Sequence, residues 1–324
     1  MNNNLDFTAK IKCAIKYRED FYKDDKTTLF RVFNSDADGI SGLTIDYING
    51  FYLLTWFNTS IYKYKNEIVD ALKSITLYKG IYQKKKFNSN EKDPDNTSDF
   101  ICGEKAPESL IIKENNINYA IHLDDGAMIG IFLDQREVRK TIRDKYSKNK
   151  TMLNTFSYTG AFSVASSLGG ATKTTSVDLA KRSLPKTQEQ FKVNNIDVDK
   201  QDIIVQDVFG YFKYAIKKQI SFDLVVLDPP SFARSKKITF SVSKDYINLL
   251  KEAIQITNKD GVIVASTNYA GLNMMKFRDF VKKAFKDLNL KFEILETFSL
   301  PKDFNVSNQF QELDYLKVLF IKKF

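Results

Sequence analysis

Phe222-Asp223-Leu224-Val225-Val226-Leu227-Asp228-Pro229-Pro230-Ser231-Phe232-Ala233-Arg234-Ser235-Lys236-Lys237 is the stretch on which the fold turns. The run Leu224–Leu227 reads as a buried strand. An acid follows it directly. Two prolines then remove two backbone donors and fix the chain in a turn. An acidic side chain held rigidly at a strand end suits catalysis better than surface packing. Arg234, Lys236 and Lys237 set positive charge beside it, as contact with a nucleic-acid backbone requires.

Outward from this strand the pattern repeats. Met152–Phe156, Thr174–Val177, Ile203–Val205 and Val262–Ala265 are apolar runs separated by amphipathic helical stretches. Such alternation predicts an α/β fold with a mostly parallel sheet covered by helices. Phe292–Leu300 and Tyr315–Lys322 predict two more strands, antiparallel at the sheet edge. This region is taken as residues 126–324.

Residues 27–125 read differently, as a smaller α+β domain. Leu29–Phe33 predicts a strand. Leu43–Ile48 and Phe51–Phe57 flank Asn49-Gly50, the strongest hairpin signal in the chain. Ile61–Ile75 has helical spacing. Gly80–Lys86, Ser109–Lys113 and Tyr119–Leu123 predict strands, and Asn88–Ser98, with Pro94, an exposed loop. Residues 1–26 predict a lead-in helix. Ile11, Ile15 and Tyr22 share one face, and Lys10, Lys12, Lys16 and Arg18 supply charge.

Composition narrows the function. The chain has 324 residues, 43% hydrophobic and 27% charged, which excludes general disorder. It has no apolar run of membrane-spanning length and no signal-peptide pattern, so a cytoplasmic protein is expected. Two cysteines, Cys13 and Cys102, cannot build a disulfide framework or a cysteine-rich zinc site. They read as small buried hydrophobes. One histidine, His122, excludes multi-histidine metal sites and reads as a local structural hydrogen-bonder. No metal is expected. Lys and Arg number 49 against 40 Asp and Glu, a net charge of +9 that favours a polyanionic partner. Lys84-Lys85-Lys86 is either a solvated strand end or an RNA contact.

Ligands of such sheets bind outside the carboxyl ends of the strands. The first strand there runs into Ser157-Tyr158-Thr159-Gly160, a turn with one glycine and not the glycine string a pyrophosphate needs. Asp178 ends the second strand, about 20 residues past Gly160, where an acid can hold a ribose diol. Asp207 follows the third. It suits an adenine amine, with Val208 and Phe209 against the ring, or a helix N-cap. Asp228 ends the fourth.

Together these strand ends resemble the class I S-adenosylmethionine-dependent methyltransferases. The Asp228–Lys236 string is more specific. It is similar to motif IV of large-subunit rRNA base methyltransferases of the bacterial RNA-cytosine-C5 type and their relatives. Phe132-Leu133-Asp134-Gln135-Arg136, then Arg139, resembles a segment of that family, as do Leu153–Gly160 and Asp36–Leu43 with Asp46. The resemblance spans roughly residues 8–324 and implies a Rossmann-like class I domain with a mostly parallel seven-stranded sheet, binding S-adenosyl-L-methionine. It implies that Asp178 holds the ribose, that Asp207 and Val208 meet the adenine, and that Ser157, Tyr158, Thr159 and Gly160 line the methionine moiety. Phe132, Asp134 and Arg136 would close the pocket. Asp228, Pro229, Pro230, Phe232 and Asn268 would face the methyl donor and target base, and Arg234, Lys236 and Lys237 the RNA. Ribosomal RNA or a ribosomal subunit is the implied partner, with a homodimer the habit of related enzymes.

Two departures matter. The family opens with an RNA-binding domain of the PUA type, and this chain starts at the helix that follows it. The C5-cytosine members also carry a nucleophilic cysteine after the fifth strand, where this chain has Ala265-Ser266-Thr267-Asn268-Tyr269. C5 of cytosine reacts only after a thiolate adds to C6. The residues therefore point to a ring or exocyclic nitrogen. The alternatives are a non-catalytic RNA-binding protein of the same fold and a methyltransferase for DNA or a small molecule.

Overall fold

The structure is a computed structural model and describes residues 6–87, 99–126, 128–234, 239–306 and 313–324. The chain forms two compact units. Met1–Leu133 and Pro301–Leu313 make the first, and Asp134–Leu300 and Asp314–Phe324 the second.

The first unit opens with α1 (Phe7–Tyr17), whose first turn is capped by Asp6 accepting the Ala9 N–H, and α2 (Glu19–Lys23). The expected single helix breaks at Arg18, and Arg18 is not on the charged face. It is fully buried. Its Nη1 and Nη2 donate to the two carboxylate oxygens of Asp38 at 3.2 and 2.7 Å, and its Nε donates to the Asp303 carbonyl at 2.8 Å. Asn305 adds a bond to Asp38 at 2.9 Å, and Asp303 accepts the Arg31 N–H at 2.8 Å. A fork of five donors is one of the few cations that can be buried, because every donor can find an acceptor.

The main sheet of this unit has the order β1 (Leu29–Asn34), β2 (Leu43–Ile48), β3 (Phe51–Trp56), β4 (Gly80–Lys85), β5 (Phe100–Gly103). The β2–β3 hairpin turns on Asn49 and Gly50 at φ 49° and 97°, the left-handed pair that matches strand twist. A crossover through α3 (Thr59–Tyr62) and α4 (Lys65–Ile75) makes β4 parallel to β3. The helix expected over 61–75 is thus two helices. Lys84 is neither solvated nor offered to RNA. It is buried and paired with Asp99, a residue next to the unexpected β5. The loop expected at Asn88–Ser98 lies outside the described residues. A separate ribbon joins β6 (Leu110–Glu114) and β7 (Ile117–Ile121). Cys13 is exposed and Cys102 half-buried, so the expectation of buried cysteines fails.

The second unit begins with α5 (Arg136–Thr141). Strands β8 (Thr151–Thr155), β9 (Lys173–Asp178), β10 (Asp202–Val205) and β11 (Phe222–Leu227) follow, with α6 (Ala161–Leu168), α7 (Ser183–Lys192) and α8 (Val208–Lys218) between them. A short hairpin, β12 (Phe232–Arg234) and β13 (Thr239–Ser241), leads to α9 (Val242–Gln255), β14 (Thr257–Thr267), α10 (Met274–Asp287), β15 (Phe292–Phe298) and β16 (Lys317–Lys323). The seven-stranded sheet has the order β10-β9-β8-β11-β14-β16-β15. β8 to β11 and β14 are parallel.

Both faces of this sheet are buried, by alternate residues. Leu153, Val225, Leu227 and Ile263 join one core with α8, α9 and α10, while Met152, Leu224, Val226 and Val264 join another with α5 and α6. This is why the strands read as unbroken apolar runs. Only one of the two last strands is antiparallel to the five, and it is not at the edge. β16 pairs with both β14 and β15. Its run Val318–Ile321 is buried throughout, whereas β15 alternates with Glu293 and Glu296 and takes the edge.

Arg18→Ala leaves the Asp38 carboxylate buried without its guanidinium. We expect a loss of about 3–5 kcal/mol, against about 0.5 kcal/mol or less for exposed Lys16→Ala, in denaturant unfolding.

Candidate active site

Strand order reverses between β8 and β11, since β9 lies on one side of β8 and β11 on the other. The carboxyl ends of these strands are where the predicted residues collect. After β8 the chain turns through Phe156 and Tyr158, both at φ 52°, and Gly160 at φ 77°. Left-handed Phe and Tyr cost about 1–3 kcal/mol each and persist only where other contacts hold them. Here Ser157 N–H donates to the Val177 carbonyl at 3.1 Å, and Tyr158 N–H to Asp178 Oδ2 at 2.8 Å. Gly160 cannot be replaced cheaply, because a Cβ would stand 2.5 Å from Thr187 Cγ2.

Asp178 joins two strand ends. Its Oδ1 accepts the Ala180 N–H at 2.8 Å while Oδ2 holds the Tyr158 turn. Asp207 is the N-cap of α8, accepting the Gly210 N–H at 3.0 Å. The cap reading of Asp207 is therefore realised. Val208 is buried in the core, and Phe209 sits between Phe156 and Phe240, with ring centroids at 6.2 and 5.6 Å. Leu179 and Val205 were not singled out by sequence, yet they stand exposed at the ends of β9 and β10. Apolar side chains left in solvent beside Asp178 and Asp207 are a signal only exposure reveals.

Asp228 follows β11, in register with the ends of β8 and β14. Burial pushes its carboxyl up to about 6. Asp134 pushes the same way, while hydrogen bonds from Ser266 and Gln135 and the charge of Arg139 pull back. Gln135 Nε2 donates to Ser266 Oγ at 2.8 Å, so the amide, hydroxyl and carboxylate form a closed cluster. Tyr246 lies beneath, its hydroxyl donating to the Ser266 carbonyl at 2.8 Å. Burial and the Asp228 charge raise the Tyr246 pKa. Tyr315 hydroxyl donates to Asp134 Oδ2 at 3.0 Å.

The rim is built from the proline turn. Pro229 is buried and Pro230 exposed. Ser231 Oγ donates to Asn268 Oδ1 at 2.6 Å, which brings the turn after β11 to the end of β14. Phe232 projects from β12, 60% exposed. Lys236, Lys237 and the Arg234 side chain lie outside the described residues. Thr267, at the position where a C5 mechanism needs its thiol, is fully buried and accepts the Tyr269 N–H at 3.2 Å. Both cysteines belong to the other unit. Of the segment that precedes α5, Asp134, Gln135 and buried Arg136, near Glu137 at 3.3 Å, belong to this unit, and exposed Phe132 to the first. His122 is buried, its N–H on the Ile129 carbonyl at 2.8 Å. No group of three or more metal-ligating side chains occurs among the described residues. No helix among them is long and apolar enough to cross a membrane.

Carboxylates, amides and hydroxyls thus gather at the strand ends, with a turn that lacks a phosphate-binding glycine string. That donor set fits a ligand with a diol, an amine and positive charge. Comparison with known proteins agrees. The model of the S-adenosylmethionine-dependent methyltransferase family matches residues 29–305. A protein of Bacillus subtilis (strain 168), provisionally named ribosomal RNA large subunit methyltransferase YwbD, is 53% identical over 318 residues, 98% of this chain and 80% of that protein. Ribosomal RNA large subunit methyltransferase I of Pseudoalteromonas translucida (strain TAC 125) is 28% identical over 317 residues, again 98% and 80%. A crystal structure of a provisionally assigned methyltransferase complexed with SAH matches with a TM-score of 0.91 and 41% identity, covering 98% of this chain and 80% of that one. The acids at the strand ends are those of a chain that belongs to the S-adenosylmethionine-dependent methyltransferase family, with S-adenosylmethionine as its cofactor.

Proposed function

We propose that the protein methylates a base of large-subunit ribosomal RNA at a nitrogen. The observation that carries this reading is the thiol-free rim, where Asp228, Ser231 and Asn268 stand at the strand ends and Thr267 is locked in the core. The names of the relatives at 53% and 28% identity support ribosomal RNA as the substrate, and the net charge of +9 suits a polyanion.

Asp178 holds the ribose of the cofactor, which its two backbone bonds keep in place. Asp207 faces the adenine, with Leu179 and Val205 against the ring and the edge of Val208 behind. Ser157, Tyr158, Thr159 and Gly160 line the methionine part, and Phe132, Asp134 and Arg136 close the pocket. When bound, the cofactor supplies a methyl group on a sulfonium: the base nitrogen's lone pair forms the new N–C bond as the S–C bond breaks.

The rest is the work of this chain. Pro229 and Pro230 hold Asp228 still. Its carboxylate accepts a hydrogen from the base, and the proton too when an exocyclic amine reacts. A ring nitrogen with a free lone pair needs only placement. Phe232 stacks on the base, which has left its helical stack to reach the rim. Asn268, its Oδ1 held by Ser231, offers its amide hydrogens to the base edge. Arg234, Lys236 and Lys237 meet the RNA backbone, as does the first unit.

Labelled S-adenosylmethionine with unmodified ribosomal RNA, naked and in subunits, tests the reading. Nucleoside mass spectrometry should find an N-methylated base. Labelled 5-methylcytosine would overturn the thiol-free mechanism, and no label with no SAH binding would favour a non-catalytic RNA-binding protein. The double variant Cys13→Ser, Cys102→Ser should keep its rate within about twofold, since no thiol is used.

The pH profile gives a separate check. The Asp228 carboxyl titrates at about 6, raised by burial, and only its ionised form accepts a hydrogen. Activity should rise about tenfold per pH unit up to 6 and level off above it. Asp228→Asn should remove that limb and lower kcat by roughly 10²-fold or more. The same raised pKa means that ionising Asp228 costs stability as pH rises from the unfolded value through about 6. Asp228→Asn should therefore gain melting temperature over the parent above pH 6 and not below pH 4, measured by thermal unfolding.

A further inference from the structure

Gln135 has no part in the reading above except as a neighbour of Asp228. Three observations single it out. It is 3% exposed. Its Nε2 donates to Ser266 Oγ at 2.8 Å. Its Oε1 has no hydrogen-bond partner among the described residues.

The orientation of this amide is not arbitrary. Ser266 and Gln135 both hydrogen-bond to Asp228 in the sense that favours the carboxylate, so both donate to it. Ser266 has one hydroxyl hydrogen. With that hydrogen on the carboxylate, Oγ can only accept, and Nε2 supplies the N–H. The two amide hydrogens are thereby used on Ser266 and Asp228, and Oε1 is fixed as the acceptor end. Buried acceptors are rarely left without a donor.

Charge narrows the missing donor. The ionisable groups that face Asp228 are Asp134, which precedes α5, Arg139 on α5 and Tyr246 on α9. Two carboxylates against one guanidinium leave room for a cation. A neutral exocyclic amine of a base would satisfy Oε1 and leave the charge unbalanced. An ammonium does both.

We propose that Gln135 binds the cofactor, its Oε1 accepting a hydrogen bond from the α-ammonium of the methionyl part while its Nε2 holds Asp228. The inference rests on the cofactor placement proposed above. One side chain then ties cofactor occupancy to the catalytic carboxylate, because an ammonium seated there favours the ionised form of Asp228 and fills the acceptor that the amide leaves open.

Calorimetry with SAH, and with its analogue in which the α-amino group is replaced by hydrogen, tests the idea without RNA. The parent protein should bind SAH about tenfold or more tightly than the analogue, as expected for a charged hydrogen bond. Gln135→Met, close in size and without an acceptor, should shrink that preference to threefold or less. Gln135→Glu, which keeps an acceptor there, should retain it, as should Ser266→Ala, which leaves Oε1 in place. An unchanged preference in Gln135→Met would overturn the proposal. So would a parent that binds both ligands equally, even if Gln135→Met does not fold. A Gln135→Met variant with unaltered SAH affinity and a raised KM for RNA would assign the acceptor to the base instead. A parent that binds no SAH would overturn this inference and the cofactor placement together, whereas failure to methylate ribosomal RNA would leave the calorimetric result standing.

Discussion

Ionising a carboxyl at the end of a strand buried on both faces is the constraint to which the second unit answers. The sheet puts apolar residues on each side of β11, so Asp228 emerges from the least polar part of the molecule. Desolvation alone would leave it protonated and useless as an acceptor at neutral pH. The hydroxyl of Ser266 and the amide of Gln135 answer that cost, and Arg139 adds charge. The balance stops near 6, low enough to be ionised at neutral pH and high enough to take a proton. The prolines then keep the geometry fixed, so orientation is not lost each time the group titrates.

Most of this unit was legible because its signals are local. Unbroken apolar runs, an acid at each strand end and the Asp-Pro-Pro turn can all be read within a few residues. The order of the last two strands could not, since two short apolar runs look alike until burial sorts them. β16 is buried along Val318–Ile321, while Glu293 and Glu296 keep β15 at the edge. The role of Gln135 was hidden for a similar reason. Its partners, Ser266 and Asp228, lie far along the chain, and nothing at positions 134–136 alone distinguishes a buried amide from a solvated one.

The first unit shows the same limit more sharply. Its hairpin follows from Asn49-Gly50, where both residues take left-handed backbone. Its cations do not follow from anything nearby. Arg18 among Lys10, Lys12 and Lys16 looks like part of a charged face, yet its partners are Asp38 and, from the far end of the chain, Asp303. Lys84 in a run of three lysines is likewise buried against Asp99. A charge run is read as solvated because most are, and the exceptions are set by residues that only folding brings near. Pro301–Leu313, inserted between β15 and β16 in sequence, belongs to this unit for the same reason: Asp303 and Asn305 supply the bonds that Arg18 and Asp38 need.

The strand-end chemistry also explains the turn after β8. A phosphate ligand would demand glycines so that several N–H groups could converge on it. This turn instead spends its N–H groups on the protein. Tyr158 donates to Asp178, and Ser157 to the Val177 carbonyl. A turn that has committed its donors inward presents side chains and carboxylates outward, a surface suited to amines, hydroxyls and positive charge. Left-handed Phe156 and Tyr158 follow from that choice, because the chain must reverse without the glycines that would otherwise ease it. The ligand class is thus written into the backbone of the turn as well as into the acids around it.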